Sequence, residues 1–256
     1  MKIIIAGYGF VGKAVANAIK DKNDLHIVDP KYTRAEIKDC TDADGAIICV
    51  GTPATVLGDC DVSQVRSVLD QLPITIPVLI KCTIVPDYLN KLVADYPDHN
   101  ICYSPEFLRA STADEDFKNQ TYMILGGDDI NSVIWHELFF ESLPKIKTSF
   151  HCTIAEASMV KYATNCFLSV KVAFFNQLYD TCLANNIDFD TVTSLLKLDD
   201  RIGSSHMQVP GPDGLRGFGG ACFSKDTNAF VWYSDRLSTS VSILESAIKY
   251  NKRVRK

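Results

Sequence analysis

Some residues stand in spacings that chemistry can use. Gly7-Tyr8-Gly9-Phe10-Val11-Gly12 follows a short apolar run and precedes a helical pattern, and Asp29 lies further on at the end of a second apolar run. In that setting Gly7 permits a tight turn and Gly9 lets the backbone approach a pyrophosphate at a helix N-terminus. Gly12 allows close helix–sheet packing. The strand, the helix and the acidic residue together favour a dinucleotide-binding turn over a merely structural one. Asp29 would accept hydrogen bonds from adenosine ribose hydroxyls and repel a 2′-phosphate. NAD is therefore expected over NADP, with Lys31 as the dissenting residue.

A second constellation is Gly217-Phe218-Gly219-Gly220-Ala221-Cys222-Phe223-Ser224-Lys225-Asp226. Its glycines let backbone come close to a ligand. The helical pattern from Lys225 onward would put Cys222 near a helix N-terminus, where the dipole favours a thiolate. Asp226 would then fall within one turn of it. Cys222 is thereby a candidate nucleophile.

The elements that must position these residues fall into two halves. Runs at 2–6, 25–29, 45–50, 77–81, 100–103 and 121–125 read as strands, several of them continuously apolar, as in parallel strands buried on both faces. Between them, 11–19, 62–72 and 87–96 have the apolar period of amphipathic helices. The expected fold class is α/β, with a Rossmann-type doubly wound parallel sheet over 1–150 that binds the dinucleotide. From about residue 153 the pattern becomes helical: 154–185 lacks Pro and Gly and reads as a single long helix, and 189–197 and 226–252 follow around a Gly/Pro-rich loop at 203–220. Residues 151–256 are therefore expected to form an all-helical domain, with the boundary near His151.

Composition excludes other classes. The 256 residues are 46% hydrophobic and 22% charged with a net charge of -5, so no general attraction to nucleic acid or anionic lipid is expected. The nine cysteines show no zinc-type spacing, no metal site is expected, and the first six residues are too short an apolar run for a signal peptide. A reducing, cytoplasmic setting follows as the expectation.

The sequence resembles the UDP-glucose/GDP-mannose dehydrogenase family over nearly its whole length. Besides the two glycine segments, the resemblance rests on Cys49-Val50-Gly51-Thr52-Pro53, Lys81-Cys82-Thr83-Ile84-Val85-Pro86, Ser104-Pro105-Glu106-Phe107-Leu108-Arg109, the stretch 156–176, and Asp200-Arg201-Ile202-Gly203. It implies an NAD-dependent oxidation of a sugar C6 alcohol, that of UDP-glucose or a related nucleotide sugar, to a carboxylate through a cysteine thioester. Cys222 would be the nucleophile and Lys161 would stabilise the oxyanion, with Asn165 one helical turn beyond it on the same face. Asp226 and Thr83 would hold or activate water, and Glu106 would assist thioester hydrolysis. The resemblance assigns cofactor contacts to Gly7, Gly9, Phe10, Val11, Gly12, Asp29, Thr52, Thr83 and Lys225. It assigns substrate contacts to Phe107, Leu108, Arg109, Lys161, Asn165, Phe218 and Gly219. It also implies a homodimer built on the helical domain, in which Arg201 reaches the neighbouring site.

Two departures carry their own expectations. Family members commonly continue into a second α/β domain that grips the nucleotide, and its UDP-anchoring groups are expected to be absent here. The loop at 209–216 is longer than the family's, and with Arg216 it is expected to take over part of that anchoring; the competing reading is a solvent-exposed turn, with UDP held weakly or by another chain. Two other readings stay open: a one-hydride β-hydroxyacid dehydrogenase, which has no need of Cys222, and a non-catalytic NAD- or nucleotide-sugar-binding remnant.

Overall fold

The computed structural model describes residues 1–255. Contacts divide the chain into two compact units, Met1–Pro53 with Cys60–Lys161, and Ala54–Asp59 with the residues from Tyr162 onward. The expected boundary at 150/151 falls inside a strand, whereas the contact division falls within a long helix.

In the first unit, β1 (Lys2–Ala6) is a run of isoleucines buried on both faces, a composition that suits a central strand. It leads through the glycine turn into α1 (Phe10–Ile19), whose inward face is Gly12, Ala14, Val15, Ala16 and Ile19. There follow β2 (Asp24–Val28), β3 (Gly45–Ile48), α2 (Ser63–Leu69), β4 (Val78–Ile80), α3 (Pro86–Asp95), β5 (Ile101–Tyr103), α4 (Ala113–Asn119), β6 (Tyr122–Gly126), α5 (Asp129–Ser142) and β7 (Thr148–Cys152). Pro86 occupies the first turn of α3, where its missing N–H costs nothing.

The sheet order is β2-β1-β3-β4-β5-β6-β7, so the strand order reverses at β1 and places the glycine turn at the carboxyl edge beside that switch point. β1 to β5 are parallel, as expected, but β6 runs antiparallel to β5, through the single ladder pair Tyr103↔Gly126. β7 then pairs parallel to β6. The sheet is thus mixed, which corrects the expectation of parallel strands throughout. Apolar runs report burial, whereas direction is set by the connection, and that connection carries only the short α4, which packs on α1.

α5 and β7 gave no readable period. Ile130 and Val133 of α5 are exposed while Trp135, Leu138 and Phe139 are buried, so apolar residues surround the helix. The β7 segment, Thr-Ser-Phe-His-Cys, is polar and largely solvent-facing. Trp135 is nonetheless a centre of the core: a Cβ on Gly45 would meet its ring at 2.8 Å.

The second unit is helical. α6 (Ile154–Ala184) confirms the long helix, and α7 (Phe189–Leu196), α8 (Gly220–Arg236) and α9 (Ser242–Val254) follow. Phe175, Cys182, Phe189 and Met207 form its apolar centre, with Leu178 and Tyr179 against them. The helical pattern at 226–252 is broken in two. Ser238 takes a φ of 56°, and Thr239 donates through both its amide and its hydroxyl to the Ser234 carbonyl, an alternative to continued helix that Ser and Thr offer without Gly or Pro. α8 also starts earlier than expected, at Gly220.

Candidate active site

At the carboxyl end of β1 the glycine segment forms a tight, closely packed turn. Gly7 has a φ of 92°, and a Cβ there would lie 2.7 Å from the Cys49 backbone. A Cβ on Gly12 would run into the Gly7 carbonyl oxygen, whereas one on Gly9 would meet nothing, so the turn is packed from behind and open in front. No side chain caps the first turn of α1, which leaves the amides of Phe10 and Val11 for an anion. Asp29 follows β2 and accepts from the amides of Tyr8 at 2.7 Å and Lys31 at 2.9 Å, which ties the acidic residue to the glycine turn. Thr52 is buried and donates to the Thr83 carbonyl at 2.9 Å, holding the ends of two neighbouring strands together. These residues fit a dinucleotide.

Asp29→Ala should therefore act twice, removing a ribose acceptor and loosening the turn. We expect NAD affinity to fall about ten- to hundredfold and the preference over NADP to narrow, measured by fluorescence titration of both cofactors. Tighter binding of NADP than NAD by the unmutated chain would overturn this role of Asp29.

Further along the same edge, Lys161 and Glu106 form a buried pair. Lys161 Nζ lies 3.0 Å from Glu106 Oε1 and donates to the Glu106 carbonyl at 2.5 Å, with the two side chains 4% and 5% exposed. The other carboxylate oxygen of Glu106 accepts from the Leu108 amide at 2.7 Å. The Lys161 ammonium also stands 5.6 Å from the centroid of the Phe107 ring. Here an ammonium and a carboxylate, out of water and held in fixed geometry, can bind a developing oxyanion and move a proton. Arg109 turns away, making a bidentate pair with Asp116 whose side-chain hydrogen bonds hold the Asp116 carboxyl down at about 2.

The second unit carries the other constellation. Asp226 is buried, accepting from Asn165 Nδ2 at 2.6 Å on one oxygen and from Lys225 Nζ at 2.5 Å on the other. Cys222 lies in the first turn of α8, one turn before Asp226, and is half-buried. Phe218 is fixed through its backbone by Asn251, which accepts from the Phe218 amide at 2.7 Å and donates to its carbonyl at 2.9 Å. Asn176 Oδ1 accepts from the Gly217 amide at 3.0 Å, and the Arg255 guanidinium covers the face of Gly219 where a Cβ would be. Asn176, Asn251 and Arg255 were not anticipated: each recognises backbone, which leaves no mark on the sequence.

Arg216, expected to serve a nucleotide, has partners within its own unit. It pairs with Asp180 at 2.8 Å, donates to the Asn176 carbonyl at 3.1 Å, and stacks 5.2 Å from the Tyr179 ring centroid. These contacts anchor its own loop. Arg201 is highly exposed and pairs with Asp199.

A glycine cradle at the switch point of a largely parallel sheet, backed by an acidic residue after the second strand, defines an NAD-binding α/β protein. Residues 30–143 match the NAD binding domain of the UDP-glucose/GDP-mannose dehydrogenase family, and residues 155–253 match its central domain. The chain belongs to that family. It is 31% identical over 231 residues to a UDP-glucose 6-dehydrogenase of Rickettsia typhi, covering 87% of this chain and 52% of the relative, so the chain spans about half the length of such relatives. Among solved structures, a UDP-glucose dehydrogenase from Pyrobaculum islandicum superposes with a TM-score of 0.85 at 22% identity, covering 98% of this chain and 68% of that one. A 3-hydroxyisobutyrate dehydrogenase from Mycobacterium tuberculosis does so with a TM-score of 0.77 at 15% identity, covering 98% and 92%. These two likenesses show the fold.

Proposed function

We propose that this chain is an NAD-dependent nucleotide-sugar 6-dehydrogenase that oxidises the C6 alcohol of UDP-glucose, or of a related nucleotide sugar, to the uronate. The observation that carries the reading is Cys222 in the first turn of α8, one turn ahead of an Asp226 buried between Asn165 and Lys225. A one-hydride dehydrogenase has no use for a thiol there.

The glycine turn, Asp29, Thr52 and Thr83 would hold NAD⁺, two molecules of which, bound in turn, would each accept one hydride, one in each of the two oxidations. Lys161 and Glu106 handle the proton and the negative charge that the C6 oxygen acquires. Cys222 Sγ adds as thiolate to the aldehyde carbon, and the oxygen of that adduct is stabilised by cationic and amide donors, the roles given to Lys161 and Asn165. Loss of hydride from the adduct leaves a thioester on Cys222. Water, held by Thr83 and Asp226 and deprotonated by Glu106, then breaks the C–S bond to release the carboxylate and return the thiolate. Phe107, Leu108, Phe218 and Gly219 contact the sugar nucleotide.

Phe167 and Phe174 of α6 are exposed, at 65% and 57%, which supports a homodimer built on the helical region in which Arg201 serves the neighbouring site. None of the described cysteines is in a disulfide, which supports a reducing compartment, the cytoplasm. No helix among the described residues is long and apolar enough to cross a membrane.

Incubation with NAD⁺ and a panel of UDP- and GDP-sugars tests the reading by counting NADH against sugar consumed. A ratio of about two supports the thioester route; a ratio of one favours the β-hydroxyacid type, and none indicates a binding remnant.

A further inference from the structure

The roles assigned so far leave Lys81 unused. It stands immediately after β4, at the carboxyl edge of the sheet, and is 5% exposed. Its Nζ donates to the Ser104 carbonyl at 3.1 Å and to Ser104 Oγ at 3.2 Å, and stands 5.6 Å and 5.7 Å from the ring centroids of Phe117 and Phe139. No ion pair holds it among the described contacts of that pocket. A methionine would fill this space without the cost of desolvating an ammonium. The charge is better explained by what it grips.

What it grips is the root of the Glu106 turn. The Ser104 amide is already bound to the Ile80 carbonyl at 2.9 Å, and Pro105, which fixes its own φ and restricts Ser104, is all that separates that anchor from Glu106. Once Ser104 is held on its amide, carbonyl and hydroxyl, the direction of the next residue is set. We propose that Lys81 is a positioning residue whose ammonium, anchored on Ser104, fixes the turn that presents Glu106 to Lys161. This rests on the catalytic reading of Glu106 and Lys161 given above.

The ionisable groups around Lys81 come from several elements. Glu106 favours its charge and Lys161 opposes it, and the cysteines Cys49 and Cys82 stand beside it. Burial outweighs them all and brings the Lys81 ammonium down to about 8. Cys49, pushed up to about 12 by burial, stays a thiol beside it. Above pH 8 the amine grips Ser104 less strongly. Because the folded value lies below the unfolded one of 10.5, the folded chain binds fewer protons between about pH 8 and 10.5, and this group makes folding more favourable as pH rises there. A loss of activity across that window by way of Lys81 is therefore a loss of positioning, since its titration stabilises the fold.

Lys81→Met, Lys81→Arg and Ser104→Ala test the proposal through kcat against pH and through hydrogen exchange at the Leu108 amide, which reports the Glu106 carboxylate directly. In the unmutated chain kcat should fall with a midpoint near pH 8. Lys81→Met should lower kcat about tenfold or more, abolish that fall, and speed exchange at Leu108. Lys81→Arg, which keeps its charge at all these pH values, should recover part of kcat and also lack the fall. An unchanged kcat, or a lowered kcat with the fall near pH 8 retained, would overturn the proposal. If Lys81→Met does not fold, Ser104→Ala decides: it should move the midpoint below pH 8 and speed Leu108 exchange, and no change in either overturns the role. If the unmutated chain oxidises no nucleotide sugar, the catalytic reading fails on its own, and Leu108 exchange alone judges Lys81.

Discussion

Replacing Cys222 with serine is expected to lower turnover to the uronate by about three orders of magnitude while leaving NAD⁺ binding within about twofold. A hydroxyl is far less nucleophilic than a thiolate at neutral pH, and any ester it formed would hydrolyse more slowly than a thioester. In the proposed route the first oxidation makes no bond to Cys222. A rapid burst of no more than one NADH per site, followed by a stalled or very slow phase, is therefore the expected trace in stopped-flow absorbance. Intact-mass measurement of the unmutated chain, quenched during turnover, should show a covalent sugar-nucleotide adduct that Cys222→Ser does not form as a thioester. Wild-type turnover to the acid in Cys222→Ser would sink the nucleophile assignment. It would also move the reading toward a one-hydride enzyme, with which this chain shares its fold as closely as the superposition on 3-hydroxyisobutyrate dehydrogenase indicates. Fold cannot separate the two; the thiol can.

What could be read in the sequence was whatever the chain writes locally. Ile3, Ile4 and Ile5, or Val78, Leu79 and Ile80, announce buried strands because both faces are covered, and a helix thirty-one residues long announces itself by lacking Pro and Gly. The direction of β6 is not written in β6: it depends on a connection whose helix, α4, turns back onto α1. The break between α8 and α9 escaped for a similar reason, since Ser238 and Thr239 end the helix through hydrogen bonds that Ser and Thr make in many contexts without ending one. At the site, the glycine turn was legible because steric need selects glycine at Gly7 and Gly12. The Lys161–Glu106 pair joins residues on distant segments, and only the resemblance of their motifs brought them forward. Lys81 was hidden by its company: a lysine closing an apolar run ordinarily carries its charge out to water. Arg216 is the opposite case. Its loop suggested a cation available for a ligand, whereas Asp180 and Asn176, far away in sequence, had already engaged it.

Lys161→Met should damage stability and catalysis together, and a second substitution should separate them. The Glu106 carboxylate would keep the Leu108 amide but lose its only ion-pair partner among the described residues, leaving an uncompensated charge out of water. Removing one member of such a pair costs about 3–5 kcal/mol, far more than an exposed pair is worth. For a protein of this size that is a fall of about 10 °C in Tm. Loss of the ammonium from the reacting oxygen should lower kcat by a further factor of about 100 to 1,000 when measured at a temperature where the variant is fully folded. Adding Glu106→Gln to Lys161→Met removes the stranded charge while keeping the side chain's shape and its acceptor for Leu108. The double variant should regain most of the lost Tm and none of the lost kcat, as differential scanning calorimetry and initial rates of NADH formation would record. Full activity in the double variant would remove Lys161 and Glu106 from the chemistry. If Lys161→Met alone melted with the unmutated chain, the pair would contribute no more than a surface contact, despite its burial.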